Sequence, residues 1–164
     1  MIKLLTIDQL PEYAEVIRRS FATVAEEYGF TKENFPTHYS FAPDERFMEK
    51  IKDGYYPYGY FADGKIAGFA ALTNKGNLEY EIGQLCVLHE YRCLGYGKAL
   101  LDFCKEKVRE LGGNKINISI SENNISLKNW YTANGFVHIG TQKYDHIPVL
   151  VGFMEIEKID LFNQ

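Results

Sequence analysis

No apolar run in this 164-residue chain approaches the roughly 20 residues that a membrane span requires, so no membrane partner is expected. The opening Met1-Ile2-Lys3-Leu4-Leu5-Thr6 is too short, and too soon interrupted by Asp8, to serve as a secretory signal. Cysteine is scarce and odd in number: Cys86, Cys93 and Cys104 lack metal-ligand spacing and cannot all pair. Reduced thiols in a cytoplasmic protein are the natural expectation. Basic excess is lacking as well, because 18 Lys and Arg stand against 22 Asp and Glu. That balance weighs against nucleic acid as a partner and is compatible with a cationic substrate. Neither i,i+4 nor triad spacing relates His38, His89, His138 and His146, so no metal site is expected. Repeats, low-complexity tracts and interdomain linkers are absent, and the length suits one domain over residues 1–164 with a real core.

What is present is concentrated between Glu79 and Leu111. An alternating apolar run, Ile82 to Leu88, is followed by the loop His89-Glu90-Tyr91-Arg92-Cys93-Leu94-Gly95-Tyr96-Gly97. A helical pattern follows, with Leu100, Phe103, Cys104, Val108 and Leu111 three or four residues apart and Gly112-Gly113 as its stop. Strand, glycine loop and helix in that order bring several backbone N–H groups to the positive end of a helix, where an anion, usually a phosphate, is favoured.

Two familiar phosphate fingerprints do not fit this loop. A Walker A loop needs glycine at the position of Arg92 and Ser or Thr after Lys98, where Ala99 stands. A dinucleotide fingerprint needs Gly or Ala where Leu100 stands, and an acidic residue after a second strand. The pattern that does fit is Arg92-x-x-Gly95-x-Gly97, of the form [Q/R]-x-x-G-x-[G/A]. It resembles the coenzyme A pyrophosphate loop of the GNAT superfamily of N-acetyltransferases. A second segment one strand later is similar to another signature of that family: Asn124-x-x-Leu127-x-x-Trp130-Tyr131-x-x-x-Gly135-Phe136 against N-x-x-A-x-x-L-Y-x-x-x-G-F. Leu127 and Trp130 depart from the common residues but keep the packed face apolar.

The rest of the chain supplies a matching order of elements. Ile2, Leu4 and Ile7 predict a short strand over residues 2–7. A helix then starts near Asp8 and Pro11 and ends at Gly29, with a buried stripe of Leu10, Ala14, Ile17, Phe21, Val24 and Tyr28. Residues 30–43 show no clean period and read as loop. A second helix over about residues 44–52 turns Phe47, Met48 and Ile51 inward. Tyr55 to Phe61, the Asp63-Gly64 turn, Ile66 to Leu72, and a turn at Asn74-Lys75-Gly76-Asn77 predict an antiparallel meander leading into the central strand. Tyr55, Tyr56, Tyr58 and Tyr60 read as half-buried strand aromatics, with a substrate wall as the second reading. Residues 116–120 form a strand parallel to the one ending at Leu88. A short helix capped by Asn123-Asn124 or Ser126 follows, then strands over 136–139 and 148–156.

The resemblance implies a mixed, mostly antiparallel α/β (α+β) sheet of about seven strands, with helices on both faces and splayed central parallel strands. It implies acetyl-CoA as cosubstrate. Freed backbone groups of Leu85, Cys86 and Val87 would hold the pantetheine arm and the thioester, and a backbone N–H there would polarise the acetyl carbonyl. The pyrophosphate would sit on the N–H groups of roughly Cys93 through Lys98, that is Cys93, Leu94, Gly95, Tyr96, Gly97 and Lys98. Asn124 would bond the pantetheine amides, and Tyr131 would protonate the departing thiolate.

Glu81 is the candidate general base, eleven residues before Arg92 as in the histone acetyltransferase branch of the family. An exposed strand charge is its other reading. Simple alternation places Glu79, Glu81, Gly83, Leu85 and Val87 on one face. Arg92 contacts phosphate or pairs with Glu90, and Cys86 and Cys104 read as small core residues. Cys93 stands in the phosphate loop with nothing to activate it, so direct transfer is preferred over a cysteine acyl-enzyme. The expected function is acetyl transfer from acetyl-CoA to a primary amine of a small molecule or peptide in a ternary complex, a small cationic amine being favoured, by a monomer or homodimer. The alternative is a non-catalytic acyl-CoA-binding or sensing module on the same fold.

Overall fold

The computed structural model describes residues 1–157. Seven strands form one sheet in the order β1-β2-β3-β4-β5-β7-β6. They are β1 (Ile2–Leu4), β2 (Tyr55–Ala62), β3 (Lys65–Gly76), β4 (Glu79–Val87), β5 (Lys115–Ser121), β6 (Val137–Lys143) and β7 (Leu150–Glu157). All neighbours are antiparallel except β4 and β5. Four α-helices, α1 (Leu10–Tyr28), α2 (Asp44–Lys52), α3 (Tyr96–Glu110) and α4 (Ile125–Ala133), accompany the sheet among the described residues.

Two apolar clusters sit on opposite faces of the sheet. Leu10, Tyr13, Ala14, Ile17 and Phe47 of α1 and α2 pack on Tyr55, Phe69 and Ala71. Leu100, Leu101, Cys104 and Val108 of α3, with Tyr131 of α4, pack on Leu72, Ile82, Ile116, Ile118 and Met154. Burying leucines such as Leu100 and Leu101 completely contributes about 1.5–3 kcal/mol each. The sheet's alternation thus decides which helix pair each strand residue meets.

The meander forms as the turn chemistry predicts, with left-handed backbone at Asp63 (φ 51°) and Gly64 (φ 76°) between β2 and β3. The next turn lies one step later than expected. β3 runs to Gly76, and Asn77 and Leu78 make the turn with φ of 54° and 65°. Asparagine tolerates that conformation, and Leu78 adopts it at an exposed tip.

Other boundaries shift for local reasons. β1 stops at Leu4 because Thr6 and Gln9 close a capping box around a 3₁₀ turn, which leaves Ile7 exposed. Tyr28 and Leu111, expected inward, are exposed at the C-terminal ends of their helices, and Met48, midway along α2, is exposed as well. The 30–43 segment is no loose loop. Phe21, Phe30, Phe35 and Phe41 surround His38 at ring-centroid distances of 5.0–6.2 Å, and a 3₁₀ turn spans Tyr39–Phe41. β6 continues four residues beyond Ile139, paired with β7 throughout, and β7 itself begins at Leu150.

Candidate active site

β4 and β5 pair in parallel only through Glu79–Lys115, Tyr80–Ile116 and Glu81–Asn117. From Ile82 onward β4 leaves β5, while β5 stays paired with β7 along its whole length. A cleft of about 500 Å³ lies beside this divergence.

A β-bulge in β4 accompanies the divergence. Ala71 pairs with Gly83 and Phe69 with Cys86, so Gln84 and Leu85 together oppose Ala70. Gln84 takes φ 50°. The extra residue overturns the simple alternation expected for this strand. Ile82, Leu85 and Val87 lie toward α3, whereas Cys86 lies toward α1 and α2. Glu81 therefore does not share a face with Leu85 and Val87.

The loop into α3 presents a run of unused donors. Arg92 N–H bonds to the His89 carbonyl, and the next backbone donor with an acceptor is Ala99, which reaches Gly95. Among the described residues the six N–H groups from Cys93 to Lys98 have no protein acceptor. Gly95 is the N-cap of α3 at φ 85°, and Cys93 also has left-handed backbone at φ 64°. A left-handed residue turns successive N–H groups to one side, the arrangement that suits an anion of several oxygens.

Arg92 does not pair with Glu90. Its Nε donates to the Val87 carbonyl at 3.0 Å, and a terminal nitrogen donates to the Ser20 carbonyl and Thr23 Oγ1 at 3.0 and 2.9 Å. Glu90 pairs with Arg19 instead, at 2.8 Å. A planar guanidinium with donors in a fork fits three acceptors on two elements, which a lysine ammonium on a flexible stem does not. The loop is thereby tied to α1 as well as to β4.

The cleft gathers most of the cofactor-binding residues expected from the sequence. Leu85, Cys86 and Val87 of β4 line it, as do Arg92, Cys93, Gly95, Tyr96, Gly97 and Lys98 of the loop and first turn, and Asn124 and Tyr131 of α4. Leu94 does not line it and points to solvent, 60% exposed. Glu81 also lies outside the cleft lining, half-buried at the last β4–β5 pair and without an ion pair or side-chain hydrogen bond among the described residues. Asn124 caps α4, its side-chain oxygen accepting from Leu127 N–H at 3.1 Å, so its amide hydrogens remain for a ligand. Sequence reasoning took Phe21 and Val24 for core and did not single out Ser20. All three line the cleft from α1. Their helical spacing signals burial but cannot say whether the buried side meets sheet or cleft.

Electrostatically the cleft is mostly apolar. Burial pushes the Tyr131 hydroxyl well above the ordinary phenol value, the nearby Cys104 and Cys86 thiols adding to it, so it stays protonated at neutral pH. Tyr131 packs edge-on against Trp130 and Phe136. Burial likewise pushes the thiols of Cys86 and Cys104 up to about 12, so neither is a nucleophile at neutral pH. Cys93 is exposed. No helix among the described residues is long and apolar enough to cross a membrane. No group of three or more His, Cys, Asp or Glu among those residues is placed to hold a metal ion.

A sheet with one splayed parallel pair, an apolar cleft near the divergence and a run of free amides at a helix start suit a ligand that joins a diphosphate to a long, thin arm. Residues 20–136 match the acetyltransferase (GNAT) family, and the chain belongs to it. It is an acyltransferase with acetyl-CoA as cosubstrate. An uncharacterised N-acetyltransferase from the pepI 3′ region of Lactobacillus delbrueckii subsp. lactis is 27% identical over 159 residues, covering 86% of this chain and 84% of the relative. The fold is that of the ribosomal-protein-S18-alanine N-acetyltransferase from Escherichia coli, with a TM-score of 0.77 at 17% identity over 96% of this chain and 92% of that one. A PaiA N-acetyltransferase from Thermoplasma acidophilum, in complex with coenzyme A, superposes with a TM-score of 0.71 at 24% identity over 96% and 98% of the two chains.

Proposed function

We propose that this enzyme transfers the acetyl group of acetyl-CoA directly to a primary amine held in a ternary complex. The observation that carries the reading is the continuity of the cleft: it runs from the free amides of the loop into α3 to Leu85–Val87, on the part of β4 that has left β5, with Tyr131 on its wall. The diphosphate sits on those amides, the pantetheine arm follows the divergent edge of β4, and Asn124 bonds its amide groups. The thioester lies near Leu85 and Val87, where a backbone N–H stabilises the oxyanion.

The chemistry balances with the residues named. An alkylammonium, with a pKa near ~10, first loses a proton, to Glu81 directly or through water. The amine nitrogen attacks the thioester carbon, a C–N bond forms, and the tetrahedral oxyanion collapses with loss of the C–S bond. Tyr131 gives its proton to the departing thiolate and regains one from the nitrogen through solvent. The products are the amide, coenzyme A thiol and one released proton. The apolar surroundings that raise the Tyr131 hydroxyl also raise the basicity of the thiolate beside it, which keeps the transfer favourable.

For the acceptor we infer a small cationic amine. Glu81, Asn117 and Glu155 lie in one register row across β4, β5 and β7, on the face toward α1. Glu79 flanks the row on the same face, and among the described residues only Lys115 pairs with it, from 3.5 Å to both Glu79 and Glu155. An amine panel that spans diamines, amino acids, aminoglycosides and an N-terminal peptide, followed by thiol release, tests the reading. Preference for anionic or neutral acceptors would defeat the cationic assignment. Tight coenzyme binding with no turnover on any amine would defeat catalysis.

A further inference from the structure

We propose that Tyr55 and Gln84 are a positioning pair that locks the β4 bulge, and through it the orientation of the peptide groups facing the thioester. The proposal rests on the acetyl-transfer reading for the identity of the group being faced. Its basis is independent of that reading: the Tyr55 hydroxyl donates to Gln84 Oε1 at 2.5 Å, and the two residues are only 6% and 7% exposed.

Gln84 is an unexpected residue at its position. It takes φ 50°, a conformation that glycine adopts without strain and a side chain resists. It also buries a carboxamide, where a plain aliphatic side chain would leave no polar atom to satisfy. What neither glycine nor an aliphatic residue supplies is a fixed direction for the residue-84 side chain. Tyr55 supplies that direction from β2, two strands away, with its own ring held against Phe69 at 6.3 Å. Burial holds the Tyr55 hydroxyl in its protonated, donating form.

The consequence lies in register. With the bulge in place, Leu85 and Val87 lie toward α3 and Cys86 toward α1, and all three line the cleft. Without it, the end of β4 would pair regularly with β3, and a one-residue slip exchanges the two faces. The peptide groups that the bulge turns out of the ladder would turn back into it. Tyr55 does not line the cleft, so its influence on catalysis passes entirely through Gln84 and the strand.

Tyr55→Phe and Gln84→Gly test this, the second because glycine keeps the left-handed turn while removing the lock. Three quantities are measured for each: the unliganded melting temperature with the affinity for coenzyme A, kcat and KM on the best amine, and the isotope-edited infrared carbonyl band of bound [1-¹³C]acetyl-CoA. Both variants should bind coenzyme A as the wild type does and lose about tenfold or more in kcat. Both should move the carbonyl band toward its free-solution position, and the double variant should be no worse than the more affected single one. An unchanged band with kcat within about twofold would overturn the proposal. So would a loss of kcat that merely follows a loss of coenzyme affinity. If Tyr55→Phe fails to fold, Gln84→Gly decides alone. A wild type that binds acetyl-CoA but acetylates nothing defeats the catalytic reading, and the carbonyl band still judges the lock.

Discussion

Glu81 and Tyr131 stand on opposite faces of the sheet. Glu81 pairs with Thr73 and Asn117 on the side of α1 and α2, whereas Tyr131 is embedded in the cluster that α3 and α4 make with the other side. The β4–β5 divergence begins immediately after Glu81. In the proposed reaction this separates the two proton transfers, so that the acceptor is deprotonated on one side and the thiolate protonated on the other. Tyr131→Phe should lower kcat by about a hundredfold with little change in coenzyme affinity. Glu81→Gln should also lower kcat, by about a hundredfold. A Phe or a Gln variant with wild-type kcat would remove that residue from the mechanism.

The two loop glycines should respond differently to alanine. Gly95 has open space around a virtual Cβ but holds φ 85°, so Gly95→Ala meets backbone strain of about 1–2 kcal/mol. Gly97 lacks that constraint, and its Cβ would meet Val87 Cγ2 at 3.8 Å and Trp130 Cζ2 at 4.0 Å, which is ordinary contact. Melting curves and coenzyme A titrations should show Gly95→Ala weakened in both respects and Gly97→Ala close to wild type. Equal effects would contradict the assignment of backbone conformation to Gly95.

Arg92 should matter as a tie rather than as a phosphate ligand. Arg92→Lys keeps the charge but loses the fork that serves Val87, Ser20 and Thr23 together. A loss of about 1 kcal/mol in stability and a raised KM for acetyl-CoA are expected, with Arg92→Ala little worse than the lysine variant. Full rescue by lysine would show that charge alone is required. Calorimetry with coenzyme A and with pantetheine, which lacks the diphosphate, compared across the variants, would reveal any direct phosphate contact.

His38 makes stability depend on pH. Burial among phenylalanine rings, with Arg46 nearby, lowers its pKa to about 4, and Nδ1 lies 2.7 Å from Ser40 Oγ. The folded value is below the unfolded one of about 6.5, so the unfolded chain takes up the proton first. The stability held by neutral His38 is therefore complete above pH 6.5 and is lost as pH falls toward 4. With solvent screening the slope should be on the order of 1 kcal/mol per pH unit. Urea unfolding at pH 7 and pH 5 should show His38→Gln losing less than the wild type over that interval. Parallel losses in the two proteins would refute the assignment.

Much of this site was legible in the chain because its parts are local. The Arg92-x-x-Gly95-x-Gly97 spacing, the Asn124 cap and the placement of Tyr131 on the following helix depend on neighbours a few residues away. Turn chemistry likewise fixed the Asp63-Gly64 hairpin, and the apolar period through Phe47 and Ile51 placed α2 over residues 44–52. The partners of Arg92 were not legible, since Ser20 and Thr23 lie about seventy positions earlier and any exposed acid nearby was an equally good candidate. The packing around His38 was hidden for the same reason: its rings follow no helical or strand period.

The sequence alone determined the order of strands and helices, the glycine loop before α3 and the family, because hydrophobic period, capping and glycine placement act over a single turn or hairpin. Tertiary structure alone decided which face each β4 residue takes after Gly83. That choice depends on the bulge at Gln84, a residue held from β2 by a tyrosine 29 positions away. A period-2 pattern carries no mark of an inserted residue until the neighbouring strand is in place to be mismatched against it.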